Sequence, residues 1–364
     1  MRVTIRADAS VAIGSGHVMR CLTLARALRD RGDYVEFASR RLAGNLCDFI
    51  ASRGFRLIAL PDSVSAGGVV SKPLPGAMAV DWERDADETW HAVNAVQDWL
   101  IVDHYGLDAD WERRMRGCAK RILVIDDLAN RPHDCEILLD QNYYPSPQDR
   151  YDGKVPPSCQ LLLGPQFVLL TPQFEKEASS PRSRDGRIRR VLVFFGGSDP
   201  TCETQKALDA IKILDWPNVH FDVVVGAGNP QKELIESRCA ELSNTAYYCQ
   251  TQDMAKLCSL ADVALGAGGS AVWERSILGL PSIVVVTAEN QRETVNALEA
   301  GGYIRLLGWH DETDAGQMAD VLNQMSKQPT VLLQTGERVR DLMRFGAGGR
   351  AQAVVRLMSQ LAAR

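Results

Sequence analysis

The run Ile13-Gly14-Ser15-Gly16-His17-Val18-Met19-Arg20 sets two glycines and a histidine where a turn passes into a helix. Gly14 and Gly16 admit positive φ and the close approach of a ligand. A helix start aims free backbone N–H groups and a positive dipole end at whatever sits above the turn, which suits an anion. A histidine there faces the anion's neighbour and takes up a proton near neutral pH, so His17 is the candidate general base. The same turn also opens many α/β proteins that do no chemistry at it. The dinucleotide-binding version needs a third glycine, and that slot holds Met19. Nor does the next strand end in the acidic residue that would hold a ribose, since Glu36 lies inside it and Ser39 follows it. No nicotinamide or flavin cofactor is expected.

Further polar groups stand at the ends of apolar runs. Leu100-Ile101-Val102 leads into Asp103, His104 and Tyr105, and ligands of open α/β sheets bind beyond the carboxyl ends of strands. Asp103 reads equally as a loop cap and His104 as a structural histidine. Asp126 and Asp127 end a second apolar run. Sequence neighbours rarely chelate one ion together, so capping, or orienting His17, is favoured over magnesium. In the C-terminal half, Gly196-Gly197-Ser198, Gly266-Ala267-Gly268-Gly269-Ser270 and Glu289-Asn290-Gln291 follow strands in the same way. Their glycines would let N–H groups reach a pyrophosphate. Glu274, one turn into a helix, would accept from ribose hydroxyls or be an ordinary surface glutamate.

These residues need a regular alternation of strands and helices behind them. The pattern predicts strands over 3–7, 34–38, 55–60, 99–103, 121–125 and 136–140, with short ones over 161–164 and 167–169. Helices are expected over 18–28, 46–52 and 83–99, the last with Trp90, Val93, Val96 and Gln97 on its inner stripe. Residues 62–80, rich in glycine and proline, read as a loop, and 176–189 as a charged linker. A second alternation begins at residue 190. Domains are therefore expected over 1–175 and 190–345, with 346–364 a C-terminal helix that crosses back to the first domain.

At 364 residues the chain exceeds one ordinary core. Its 45% apolar and 24% charged content is that of a globular protein, and a net charge of −5 gives no reason to expect nucleic acid. No apolar run is long enough to span a bilayer, so no membrane partner is expected. The sequence opens on a strand without a charged and apolar leader, which predicts a cytoplasmic protein. The nine cysteines form no C-x-x-C pair and are read as free thiols with no zinc. A monomer is the default.

The motifs also carry a resemblance. Arg6-Ala7-Asp8-Ala9-Ser10 with residues 13–22, Asp103-His104-Tyr105-Gly106, Asp126-Asp127, Gly196-Gly197-Ser198-Asp199, Gly268-Gly269-Ser270 with Glu274, and Asn290-Gln291 resemble the UDP-sugar hydrolases of pseudaminic acid biosynthesis. That resemblance implies the GT-B fold, in which two Rossmann-like α/β domains with parallel sheets face each other across a cleft. It implies inverting, metal-independent hydrolysis of UDP-2,4-diacetamido-2,4,6-trideoxy-β-L-altropyranose to UDP and the free sugar. His17 would activate water, and Tyr105 would stand by the reacting sugar. Arg6, Asp8, Gly14, Ser15, Gly16, Arg20, Asp103 and His104 would line the sugar side. Gly196, Gly197, Ser198, Gly268, Gly269, Ser270, Glu274, Asn290 and Gln291 would hold the nucleotide side. The glycine segment 346–349 follows the family's pattern only loosely. The same motifs also fit a glycosyltransferase with an acceptor in place of water, or a UDP-sugar binding protein without activity.

Overall fold

The computed structural model describes residues 1–11, 13–61, 80–344 and 349–363. Most of the expected 62–80 loop, and Gly346, Ala347 and Gly348 of the expected C-terminal break, lie outside these residues. The chain divides into two units, Met1–Leu169 with the C-terminal helix, and Leu170–Arg344.

The first unit alternates β1 (Arg2–Ala7), α1 (Gly16–Asp30), β2 (Tyr34–Arg40), α2 (Cys47–Ser52), β3 (Arg56–Leu60), α3 (Trp82–Ala92), β4 (Trp99–Asp103), α4 (Ala109–Met115), β5 (Ile122–Ile125), β6 (Ile137–Asp140) and β7 (Gln160–Leu163). Its sheet has the order β3-β2-β1-β4-β5-β6-β7, every neighbouring pair parallel. Such a sheet is covered on both faces, and its strands are correspondingly apolar throughout. Successive residues face opposite layers. Ile101, Leu123 and Leu139 pack with Val18, Leu24 and Leu28 of α1 on one face, whereas Leu100, Val102 and Leu138 pack with Trp111 and Met115 of α4 on the other.

The second unit contains α5 (Pro172–Ser179), β8 (Arg190–Phe194), α6 (Glu203–Leu214), β9 (His220–Val225), α7 (Lys232–Ala240), β10 (Thr245–Cys249), α8 (Met254–Leu260), β11 (Val263–Ala267), α9 (Ala271–Ile277), β12 (Ser282–Val286), α10 (Arg292–Ala300), β13 (Arg305–Trp309), α11 (Ala315–Ser326) and α12 (Pro329–Leu342). Its parallel sheet runs β10-β9-β8-β11-β12-β13. The last helix, α13 (Arg350–Ala362), belongs to the first unit, where Ala351, Val354, Val355 and Met358 join the core around α1. Among the described residues no helix is long and apolar enough to cross a membrane.

Several local expectations need correction. The helix expected over 83–99 stops at Ala92, because Val93 takes an extended conformation so that the chain can turn back into β4. Its buried face is Asp85, Ala86 and Thr89, while Trp90 and Val96 are 37% and 56% exposed. Residues 165–167 form a 3-10 turn begun by Pro165 in place of a strand. Residues 176–179, expected to be linker, finish α5, which Pro172 starts. The edge strand β13 was not anticipated, its apolar run being cut by Gly308 at φ +152° next to a register shift.

Candidate active site

In each sheet the strand order reverses at the middle, between β1 and β4 and between β8 and β11. Loops that leave such a point diverge and open a crevice beyond the carboxyl ends of the strands. The sequence motifs fall at these two points. His17 lies just past β1 and Asp103 ends β4, while Gly196–Ser198 follow β8 and Gly268–Ser270 follow β11.

In the first unit the turn is held by Ser10, whose carbonyl accepts from the Gly14 N–H at 2.8 Å and whose Oγ accepts from the Ile13 N–H at 3.0 Å. Gly14 sits at φ +81° with open space where a side chain would begin. Ser15, at the start of α1, gives no side-chain cap, and the first turn holds no acidic residue. That helix start therefore keeps its positive end uncompensated by side chains.

His17 Nδ1 lies 2.5 Å from Asp103 Oδ1. Arg20, one turn on, grips the same carboxylate through Nε at 2.6 Å and Nη2 at 2.7 Å, and reaches Asp127 through Nη1 at 3.0 Å. Burial works against charge on Asp103, but the Arg20 guanidinium and His17 hold its carboxyl far below the usual carboxylate range. An ionised carboxylate only accepts, so the proton of this contact belongs to His17 Nδ1, and in the neutral imidazole Nε2 carries the lone pair. Arg20 Nη2 and His17 Nδ1, 3.3 Å apart, are two donors converging on Asp103. The Tyr105 ring meets the imidazole edge-on, with centroids 4.5 Å apart at 82°. His17 is thus fixed in tautomer and orientation.

Arg6, Asp8 and His104 fall behind this site. Arg6 is fully buried and donates to Asp8 at 2.8 Å and to Asp85 at 2.7 and 3.2 Å. Asp85 also accepts from Arg40 and from the Trp111 indole N–H. Asp8 accepts from the Arg40 N–H, with His104 Nε2 at 3.6 Å. The Gly106 N–H donates to His104 Nδ1 at 3.0 Å, so that nitrogen bears no proton. Burial, then the neighbouring Arg6, pushes the imidazole down to about 4. Arg6 and Asp8, expected as substrate contacts, are thus engaged in a buried ion-pair lattice at β1. Asp85 and Arg40, its other members, have no local signal. The one available clue was an arginine inside an apolar strand, which demands a buried partner.

The Asp126-Asp127 pair splits its duties. Asp126 accepts from the Ala129 N–H and from Arg131, each at 2.8 Å, whereas Asp127 braces Arg20. Asp140 stands near both and accepts from the Tyr151 hydroxyl at 2.9 Å. Burial, with Asp127 alongside, pushes its carboxyl up to about 8.

The second unit's loops are arranged differently. Asp199 caps α6, taking the Glu203 and Thr204 N–H groups at 3.0 and 2.8 Å, so that helix start is already compensated. Gly196 lies at φ +100° with no atom near its missing side chain. A side chain on Gly268 would begin 2.3 Å from Val295 Cγ2, and the Gln291 amide lies over the same turn while accepting from the Thr287 N–H. Asn290 sits beside Gln291 in a 3-10 turn. Glu274, in the first turn of α9, is half-buried and receives no hydrogen bond from any described residue, and burial pushes its carboxyl up to about 7. These groups gather around the carboxyl ends of β11 and β12 in one unit.

The spore coat polysaccharide biosynthesis protein SpsG of Bacillus subtilis is 30% identical over 329 residues, 89% of either chain. The chain belongs to the SpsG family. Residues 191–343 of this SpsG-family chain match the glycosyltransferase family 28 C-terminal domain. The UDP-2,4-diacetamido-2,4,6-trideoxy-β-L-altropyranose hydrolase of Campylobacter jejuni is 26% identical over 311 residues, 83% of this chain and 98% of that protein. Among solved structures, MurG of Acinetobacter baumannii superposes with a TM-score of 0.65 at 15% identity, covering 99% of each chain. The spinosyn rhamnosyltransferase SpnG gives 0.62 at 16% identity, covering 99% of this chain and all of that one. These last likenesses speak to fold, and the fold is GT-B.

Proposed function

We propose that this SpsG-family chain hydrolyses a UDP-sugar, with water deprotonated by His17 Nε2 attacking the anomeric carbon as the bond to the UDP oxygen breaks. A single displacement from the opposite face inverts the anomeric centre. The observation that carries this reading is the Asp103–His17 pair braced by Arg20, which leaves an oriented base on a glycine turn. Tyr105 stands beside the imidazole on the sugar side. In the second unit the turns at Gly196–Ser198 and Gly268–Ser270 take the diphosphate, whose growing charge backbone N–H groups stabilise, so no metal is assigned a part. Glu274 takes the ribose hydroxyls, and Asn290 and Gln291 the diphosphate edge. The relative from Campylobacter jejuni supports UDP-2,4-diacetamido-2,4,6-trideoxy-β-L-altropyranose as the substrate, and with it pseudaminic acid synthesis.

The match to a glycosyltransferase domain favours a second reading, transfer of the sugar to an acceptor. Incubation with a panel of UDP-sugars, followed by NMR of UDP and of the anomeric proton, separates the two. Release of free, inverted sugar without acceptor, lost in His17→Phe, is the expected result. UDP formation only when an acceptor is added would replace hydrolysis with transfer. Undiminished turnover in His17→Phe would remove the base.

A further inference from the structure

The charged segment before β8 does more than join elements. Arg182, Arg184 and Arg187 line a cavity of about 260 Å³ together with Arg340 of α12, Asp262 and Glu337. Asp262 precedes β11 and Pro281, also in the wall, precedes β12, so the cavity lies at the amino edge of the second sheet. The five residues of β11 separate it from the Gly268 turn by about 16 Å.

The charges around the cavity are unbalanced. Asp262 is spent, accepting from Arg182 at 2.9 Å and from the Arg189 and Arg190 N–H groups at 2.8 and 2.9 Å. Arg184 points its guanidinium at backbone carbonyls closing α8 and α9, those of Ala261 and Leu278 at 2.9 Å among them, and has no carboxylate. Burial, then Arg182 and Arg340, pushes Arg184 down to about 10. Arg340 lies against Gly279, where a side chain would begin 2.8 Å from Nε and Nη2. Its Nε is buried without a partner, and neither Arg340 nor Arg187 forms an ion pair with a described residue. Glu337, the remaining carboxylate, is exposed.

From this geometry we infer a second anion site that takes a small phosphate-bearing dianion, free phosphate or a phosphomonoester, between Arg340 and Arg187. The planar fork of guanidinium fits phosphate oxygens two at a time. A dianion supplies the countercharge that the walls lack and relieves the crowding of like charges around Arg184. The volume of about 260 Å³ has room for a group of about the size of a sugar phosphate. The site stands apart from the catalytic reading and does not depend on it.

Inorganic phosphate is the probe, titrated against the full chain at constant ionic strength with chloride as the reference, reading melting temperature and calorimetric heat. The wild type should be stabilised by phosphate beyond chloride. Arg340→Gln should weaken phosphate binding about tenfold or more, and Arg187→Gln, at an exposed position, about threefold. Glycerol phosphate binding more tightly than phosphate would identify a phosphomonoester, and equal or weaker binding the free ion. Wild type that answers phosphate and chloride alike, or an Arg187→Gln and Arg340→Gln double variant that binds phosphate as wild type does, overturns the site.

Discussion

The two switch points of this molecule have the same topology and opposite electrostatics. At the first, the charged side chains answer one another within the unit, although the start of α1 has no cap: His17 by Asp103, Asp103 by Arg20, Arg20 by Asp127, and behind them Arg6 by Asp8 and Asp85. At the second, Glu274 has a raised carboxyl and no donor among the described residues, and the glycine turn at Gly196 keeps space above it. Groups held before a ligand arrives suit a site that must orient a proton transfer, since the ordering cost is met on folding. Groups left unsatisfied suit a site that a ligand completes. The contrast fits the proposed function, with chemistry in the first unit and binding in the second.

The sharpest way to break that assignment is His17→Gln. UDP release should fall by roughly 10³-fold while the affinity for UDP, measured by calorimetry, stays within about twofold. Loss of UDP binding in that variant would merge the two roles. Asp103→Asn comes next. It should lower kcat by about 10²-fold or more through the wrong imidazole tautomer, and it should cost about 3–5 kcal/mol in urea unfolding because Arg20 is left buried without its main partner.

The lattice under the first site has its own signature. His104 titrates at about 4 in the folded chain against an ordinary value of 6.5. As pH falls, the unfolded chain takes the proton first, so stability is full above 6.5 and about 3 kcal/mol of it is lost by pH 4. His104→Gln should flatten that window in denaturant titrations at a series of pH values.

Glu274 has the opposite sign. Its carboxyl is raised to about 7 from 4.5, so the folded chain binds the proton more tightly and stability declines as pH rises from 4.5 through 7. Glu274→Gln should then stabilise the protein by roughly 2 kcal/mol at pH 8, discounted for partial exposure, and leave it unchanged below pH 4.5. Affinity for a UDP-sugar, whose diphosphate does not titrate in this range, should rise between pH 6 and 8 in the wild type only. A flat wild-type profile would detach Glu274 from the ligand. Smallest is the pair of glycine replacements. Gly268→Ala should cost about 1–3 kcal/mol against Val295, and Gly269→Ala, with Gln291 Nε2 3.6 Å away, less than about 0.5 kcal/mol.

Repeating apolar runs with glycine turns made the parallel alternation legible, and the turn before His17 marked one crevice because a strand, two glycines and a helix need no distant partner to be read. What stayed hidden depends on pairs far apart in sequence. Arg6 meets Asp85 across 79 residues and Arg20 meets Asp127 across 107, and no local period encodes either. That is why the pairing of Arg6 and Asp8 within a buried lattice left no mark in the local pattern. The end of α3 was misjudged for a related reason: Val93 and Gln97 are buried, as a helical stripe would require, but the chain between them is already turning toward β4.

The return of α13 to the first unit sets the order in which this protein is made whole. The core around Val18, Leu22 and Leu24 includes Val354, Val355 and Met358. About 180 residues of the second unit are synthesised between the last strand of the first sheet and that helix. At ribosomal speed the interval is about 10–35 s. For that time the first half to emerge waits with one apolar flank uncovered, and the second half has every element it needs before α13 is made. Birth order and completion order are reversed.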